Sequence, residues 1–79
     1  MMKSLLSRQV MKREYGWHAI SRINLRKVEI MWTEEVIRYP DRIRRFGKKI
    51  YAQKKLNGWT LEVVYVKDMY IRVKTVYWR

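Results

Sequence analysis

The sequence predicts an α+β fold in which two or three amino-terminal helices pack on one face of a three- to four-stranded antiparallel sheet. Apolar residues recur at helical spacing before Pro40 and alternate with a period of two after it. Helices and strands that are segregated in this way are typical of α+β domains rather than of parallel α/β sheets. The 79 residues contain no linker or repeat. We therefore expect a single domain over residues 1–79.

The helical half divides into an amino-terminal extension and a helical region. Within the amino-terminal extension 1–15, residues 3–14 are amphipathic and predict a first helix, which Gly16 ends because glycine costs about 1 kcal/mol inside a helix. An extra strand in this segment stays open as the alternative. Residues 17–39 predict two further helices, 17–26 and 28–39. Pro40 ends this half, since it forces the preceding residue out of the helical conformation.

The strand half, residues 42–78, contains a sharp hairpin signal. Asn57-Gly58 lies between two alternating segments, and both residues accept the positive φ of a two-residue turn. This turn pairs Leu56 with Trp59 and sets the register of both strands. A short strand over residues 42–46 precedes the hairpin, so the whole region is predicted to be an antiparallel sheet.

A second turn is predicted at residues 67–69. With three loop residues, Val63 lies opposite Val73 and Glu62 lies opposite Lys74, which pairs apolar with apolar residues and joins opposite charges. In this register Thr75 and Tyr77 face the helices. The opposite, open face of the predicted sheet carries Lys49, Tyr51, Lys55, Val64, Tyr70, Arg72, Lys74, Val76 and Trp78.

The composition is strongly basic, with 19 Lys and Arg against seven acids and a formal net charge of +12. Such an excess indicates polyanionic partners. Basic residues interleaved with aromatic rings suit nucleic acid, because cations hold phosphates and rings stack on bases. The same pattern also fits a protein interface or a solvated sheet surface. The predicted nucleic-acid-binding residues are Arg42, Arg44, Arg45, Lys48, Lys49, Lys55, Arg72, Lys74 and Trp78.

Several classes of protein are excluded by composition. The chain has no Cys and one His, which argues against disulfide frameworks, thiolate zinc sites and haem, so we expect no metal and no cofactor. The sequence starts without the apolar stretch of a signal peptide and has no window apolar enough to span a membrane. A cytoplasmic protein without a membrane partner is expected.

His18 is the one side chain expected to titrate near neutral pH, and this makes it the first candidate for a general acid or base. Arg22 follows four residues later on the same helical face, where it could stabilise an anionic transition state. A lone His at a helix start is also often structural. Both interpretations stay open.

One further pattern extends from Trp17 to Trp78. In this sequence it consists of His18-Ala19, Arg22-Ile23, Pro40 and Thr75-Val76-Tyr77. It resembles a family of short prokaryotic proteins whose sequences begin His-Ala-x-x-Arg-Met, have a similarly placed Pro and finish in a strand pair ending Thr-Val-Tyr. That family is similar to the RelE, ParE and BrnT toxins, in which helices pack against an antiparallel sheet.

The resemblance implies a function. RelE-like toxins cut mRNA without a metal, through basic and tyrosyl side chains on the exposed sheet face, so the resemblance implies a metal-independent endoribonuclease. His18 and Arg22 match the motif by position, whereas Tyr51 and Tyr70 are catalytic candidates because they lie on the predicted open face. RNA is favoured over DNA as the partner. The alternatives are a non-catalytic nucleic-acid-binding module and a protein-interaction module that binds an acidic antitoxin or a second copy of itself.

Overall fold

The computed structural model describes residues 12–79. These residues form one five-stranded sheet with strand order β1-β5-β4-β3-β2, in which β1 runs parallel to β5 and the other neighbours are antiparallel. The elements in chain order are β1 (Arg13–Tyr15), α1 (Trp17–Leu25), α2 (Ile30–Arg38), β2 (Arg42–Phe46), β3 (Lys49–Leu56), β4 (Trp59–Lys67) and β5 (Ile71–Trp78).

The fold is α+β, but the predicted arrangement is wrong, since two helices pack on a five-stranded mixed sheet. The difference arises at residues 13–15. The predicted first helix extended to residue 14, but these three residues form an extra strand, the alternative that the sequence left open, and they pair in parallel with β5. The Ile71 amide donates a hydrogen bond to the Lys12 carbonyl at 2.9 Å, which extends this pairing by one residue. Three residues are too few to show a period of two. The rest of the predicted first helix lies outside the described residues.

The two helices cover one face of the sheet. α1 packs on β5, and α2 packs on β4 and β3. Neither helix in the described part of the chain is long and apolar enough to cross a membrane. Fully burying one Val, Leu or Ile side chain stabilises the fold by about 1.5–3 kcal/mol. The core consists of Ala19, Ile23, Val28, Val36, Ile37, Ile50, Ala52, Leu61, Val63, Tyr65, Ile71, Val73 and Val76.

The hairpin between β3 and β4 confirms the predicted register. Leu56 lies opposite Trp59, and the pairing continues without a break along both strands. Asn57 and Gly58 adopt φ angles of 51° and 85°. The turn residues therefore specify the alignment of the two central strands, because a shift of one residue would reverse every side chain.

The predicted register between β4 and β5 is wrong. Tyr65 lies opposite Val73 as β5 begins, but Val63 lies opposite Val76, so Lys74 is an extra residue in β5. This irregularity is a β-bulge, in which two residues of one strand oppose a single residue of its neighbour. Its consequence is that the side chains after Lys74 lie on the faces opposite to those predicted.

The bulge changes the position of four side chains. Val76 is fully buried in the core, and Trp78 packs against the core from the helix-covered side. Thr75 and Tyr77 lie on the open side instead. The prediction that Trp78 lies on the open face is therefore wrong, as is the prediction that Tyr77 faces the helices.

Candidate nucleic-acid interface

The face of the sheet that the helices leave uncovered, here called the open face, is formed by alternate residues of each strand. Opposed residues of an antiparallel pair share a face, so the observed register assigns each side chain to one side. All five residues of β2 are exposed. The open face carries Arg42, Arg44, Phe46, Lys49, Tyr51, Gln53, Lys55, Glu62, Val64, Arg72 and Tyr77.

One cation contacts two aromatic rings near the β2 edge of this face. The Arg44 Cζ atom is 5.6 Å from the ring centroids of both Phe46 and Tyr51. The two rings meet edge to face, with centroids 5.7 Å apart and planes at 89°. Cation–π contacts of this kind favour one orientation of the guanidinium. Phe46 is 59% exposed, so its ring remains available to a ligand.

Glu62 lies at the centre of the open face and is fully buried by its neighbours. The Gln53 amide donates a hydrogen bond to Glu62 Oε2 at 3.1 Å. Arg79 Nε lies 3.3 Å from Oε1, and Arg44 Nη2 lies 3.9 Å from Oε2. A buried carboxylate is stable only with such partners. Glu62 therefore holds one arginine on each side of the centre of this face.

Tyr77 completes this central group. The Arg79 Cζ atom lies 5.5 Å from the centroid of the Tyr77 ring. Burial raises the pKa of Tyr77, and the neighbouring Glu62 carboxylate raises it further. The phenol is thus kept neutral, and it contributes a ring and a hydroxyl group to the open face.

Among the described residues, most cations around β2 and β3 have no carboxylate partner, although not all of them face the open side. Lys54 pairs with Asp41 at 3.8 Å on the helix-covered side. Arg45 lies opposite Ile50, so it also faces the helix-covered side of β2 and not the open face. Within residues 12–79, no carboxylate is within ion-pairing distance of Arg42, Arg45, Lys48, Lys49 or Lys55.

His18 and Arg22 lie at a second place, beside the other edge of the sheet. His18 is exposed at the start of α1, and Arg22 Nε donates a hydrogen bond to His18 Nε2 at 3.2 Å. The imidazole borders a hollow of about 300 Å³ near the bulge. This hollow is lined by Glu14, Gly16, Trp17, His18, Arg72, Val73 and Lys74.

Tyr70 is joined to the same edge of the sheet by a hydrogen bond from Arg72. Arg72 Nη2 donates a hydrogen bond to the Tyr70 hydroxyl at 3.3 Å, and this bond is the main cause that raises the pKa of Arg72. Arg72 Nε also lies 3.4 Å from Glu14 Oε1, and its Nη2 lies 4.0 Å from Asp68 Oδ2. Arg72 is therefore partly neutralised by carboxylates.

The four predicted catalytic residues do not form one cluster. His18 bonds to Arg22, Tyr70 bonds to Arg72, and Tyr51 packs on Arg44 from β3. β4 separates β3 from β5, so Tyr51 lies apart from the other three. Their catalytic roles stay predictions. The described residues also contain no group of three His, Asp or Glu side chains arranged to hold a metal.

Sequence analysis missed Glu62 as a member of the site. The pairing of Gln53 with Glu62 follows from the Asn57-Gly58 turn and could be read from the sequence. The burial of Glu62 could not, because it depends on Arg79 and Tyr77, and the bulge determines where they lie. Phe46 was placed in a short strand, but nothing in the sequence showed that its ring packs beside Arg44.

Comparisons of the chain with family models, with curated proteins and with solved structures found no match. The resemblance to RelE-like toxins therefore stays a prediction.

Proposed function

We propose that the protein binds RNA through the open face. The observation that carries this proposal is the contact of Arg44 with the rings of both Phe46 and Tyr51, next to cations that lack a carboxylate partner among the described residues. Rings on an exposed sheet stack on unpaired bases, and the cations around them bind phosphates. The surface thus offers both kinds of contact that a single RNA strand needs.

The charge of the chain supports the same partner. A net charge of +12 attracts a polyanion over a long range and speeds its association. Single-stranded RNA is favoured over duplex DNA because its splayed bases can reach the exposed Phe46 ring, whereas stacked bases cannot. RNA is abundant in the cytoplasm, and we place the activity there.

Cleavage of RNA is a second candidate function, and the hollow beside α1 favours it. The His18 imidazole borders this hollow together with Arg72 and Lys74, and Arg22 bonds to His18 directly. Metal-independent cleavage needs a base for the 2′-hydroxyl and cations around the phosphate. The residue types at this edge meet that need, although Glu14 and Asp68 reduce the charge of Arg72.

The binding proposal is tested with a labelled single-stranded RNA across a salt series. Replacing Arg44, Lys49 and Lys55 by Ser removes three open-face cations. The matched control replaces three cations from elsewhere by Ser and loses the same net charge. The control positions are Arg38, Lys54 and Lys67.

We expect the open-face variant to lose affinity and to show a shallower salt dependence, by about 0.7 in slope for each lost phosphate contact. The control should keep most of the wild-type slope. Equal losses in both variants would show that net charge alone attracts RNA, and absence of binding by the wild type would refute the proposal.

Cleavage is tested in the same reactions in the presence of EDTA. If the hollow is a nuclease site, the wild type cuts and His18→Ala does not, while both bind RNA equally. If no product forms with the wild type, the protein binds RNA without cutting it. Cleavage that persists in His18→Ala would place the base elsewhere.

A further inference from the structure

A separate cavity lies on the helix-covered side, between the α1–α2 connection and the tip of the β3–β4 hairpin. Its volume is about 420 Å³. Small-molecule sites usually measure about 300–1,000 Å³ and have mostly apolar walls with a few polar groups. Three of the four tryptophans of the chain contribute to this tryptophan pocket. Its lining consists of Arg26, Lys27, Trp32, Leu56, Asn57, Trp59 and Trp78.

Two of the three indoles are fixed by contacts within the protein. Trp78 Nε1 donates a hydrogen bond to the Arg26 carbonyl at 3.1 Å. The rings of Trp32 and Trp78 meet edge to face, with centroids 5.9 Å apart and planes at 68°. Trp59 follows the hairpin turn and is 66% exposed. The pocket therefore has two fixed aromatic walls and a third that is open to solvent.

The charge around the pocket selects the ligand. Tryptophan cages often bind ammonium cations, because the ring faces are negative. Here Arg26 and Lys27 contribute two positive charges, and no carboxylate is among the lining residues of the described chain. Two cations with no facing carboxylate favour an anionic ligand, because charge-assisted hydrogen bonds from Arg and Lys to phosphate or carboxylate oxygens are strong.

We propose that the tryptophan pocket binds a nucleoside monophosphate, either as a free nucleotide or as the terminal nucleotide of a strand. The base is a planar ring that can stack on the exposed Trp59 indole. A terminal phosphate carries about −1.5 to −2 charges at neutral pH, which matches two cations. The proposal is independent of RNA binding at the open face, since the pocket lies on the other side of the sheet.

The test is a titration with AMP, adenosine and inorganic phosphate, followed by tryptophan fluorescence. We expect AMP to bind at least tenfold more tightly than either fragment. Trp59→Ala removes one stacking wall and should weaken AMP binding roughly tenfold. Tyr39→Ala is the matched control, because this aromatic residue is 61% exposed and lines neither the tryptophan pocket nor the hollow beside α1. It should leave AMP affinity unchanged.

Lys27→Gln is a second variant that should fold, since Lys27 is exposed. It should weaken AMP binding several-fold and leave adenosine binding unchanged. The proposal is overturned if AMP does not bind, if a fragment binds as tightly, or if Trp59→Ala and Lys27→Gln both bind AMP like the wild type. Circular dichroism of each variant verifies folding.

The two sources of the nucleotide are separated with the variant that lacks Arg44, Lys49 and Lys55. AMP and a 5′-phosphorylated oligonucleotide are compared on this background, with a 5′-hydroxyl oligonucleotide as the control. If AMP and the phosphorylated strand bind with equal affinity, the pocket accepts the terminal nucleotide of a strand. If AMP binds more tightly than the phosphorylated strand, the ligand is a free nucleotide.

Discussion

A glutamate with arginine and tyrosine neighbours lies on each side of the sheet, Glu34 on the helix-covered side and Glu62 on the open side, and the two groups differ in how tightly they are bonded. On the helix-covered side, Glu34 of α2 accepts hydrogen bonds at 3.0 Å from Arg13 and at 2.9 Å from the Tyr15 hydroxyl. These bonds join β1 to α2. On the open side, Glu62 has its arginines at 3.3 and 3.9 Å.

The difference separates a structural contact from a surface that can act on a ligand. The Arg13 side chain is 12% exposed, whereas those of Arg44 and Arg79 are both 48% exposed. A guanidinium that is held loosely and faces water can bind a phosphate without breaking a short hydrogen bond. Glu62 therefore leaves two guanidinium groups exposed to solvent on the open face, whereas Glu34 joins an edge strand to a helix.

The largest effect that we expect comes from Glu62→Ala, which should lower the free energy of unfolding by about 3 kcal/mol. The substitution leaves a void beneath two guanidinium groups and removes the acceptor of the Gln53 amide. Glu34→Ala should lower it less, by about 2 kcal/mol, because the Glu34 side chain is 26% exposed. Urea unfolding of both variants measures the difference. A smaller effect at Glu62 than at Glu34 would reverse the comparison.

Glu62→Gln separates stability from binding. It keeps the size of the side chain but removes a charge, so we expect a loss of about 2 kcal/mol in unfolding free energy. RNA affinity at low salt should rise about two- to threefold, because a negative charge beneath the phosphate-binding surface is gone. Glu34→Gln is the control and should leave RNA affinity unchanged. If Glu62→Gln instead weakens binding, the positioning of the arginines matters more than the net charge.

The sequence predicted the cations of the open face better than it predicted the group at its centre. Asn57-Gly58 determines the β3–β4 register, and that register places Lys49, Tyr51 and Lys55 on the open side. The β5 register could not be predicted, because no glycine or proline marks Lys74 as the bulge residue. Matching the charges of Glu62 and Lys74 even favoured the wrong alignment.

The tryptophan pocket was missed for the same reason. Without the bulge, Trp78 would lie on the open face, away from Trp32. Alternation of apolar residues predicts the face of each side chain correctly only in a regular strand, because a bulge shifts every later side chain to the other face. The extra residue in β5 therefore changes which side chains lie on the open face. It also places Trp78 in a pocket that the sequence did not predict.

Tyr15→Phe tests the bonded group on the helix-covered side and should lower the free energy of unfolding by about 1 kcal/mol. The substitution should also change how the free energy of unfolding depends on pH under alkaline conditions. Burial, followed by the hydrogen bond to Glu34, raises the pKa of Tyr15. The folded protein thus keeps a proton that the unfolded chain loses near pH ~10. Stability is complete below that pH and falls as the pH rises further.

The fall above pH ~10 should be shallower in Tyr15→Phe than in the wild type, as measured by urea unfolding between neutral and alkaline pH. It should not vanish, because burial also raises the pKa of Tyr65 and Tyr77. Tyr39→Phe is a control at an exposed tyrosine and should leave the profile unchanged. Identical alkaline profiles for Tyr15→Phe and the wild type would show that the Tyr15 phenol is not held in its neutral form.

The smallest effects on stability are expected at two adjacent lysines on opposite faces of β3. Lys54 lies opposite Leu61 on the helix-covered side and pairs with Asp41 at 3.8 Å, whereas Lys55 lies opposite Thr60 on the open side. Exposed ion pairs contribute about 0–1 kcal/mol, so Lys54→Met and Lys55→Met should each change the unfolding free energy by less than about 0.5 kcal/mol.

Their effects on RNA binding should nevertheless differ. Both variants lose one positive charge, so long-range attraction falls equally. Only Lys55→Met loses a phosphate contact, and the slope of log affinity against log salt should become shallower by about 0.7 in that variant alone. Because the two positions are adjacent and their stability effects equally small, unequal salt slopes would reflect the local position of each side chain: its face of the sheet and, for Lys54, its pairing with Asp41. Equal slopes would mean that RNA does not distinguish the two faces, and binding would then be a property of the net charge.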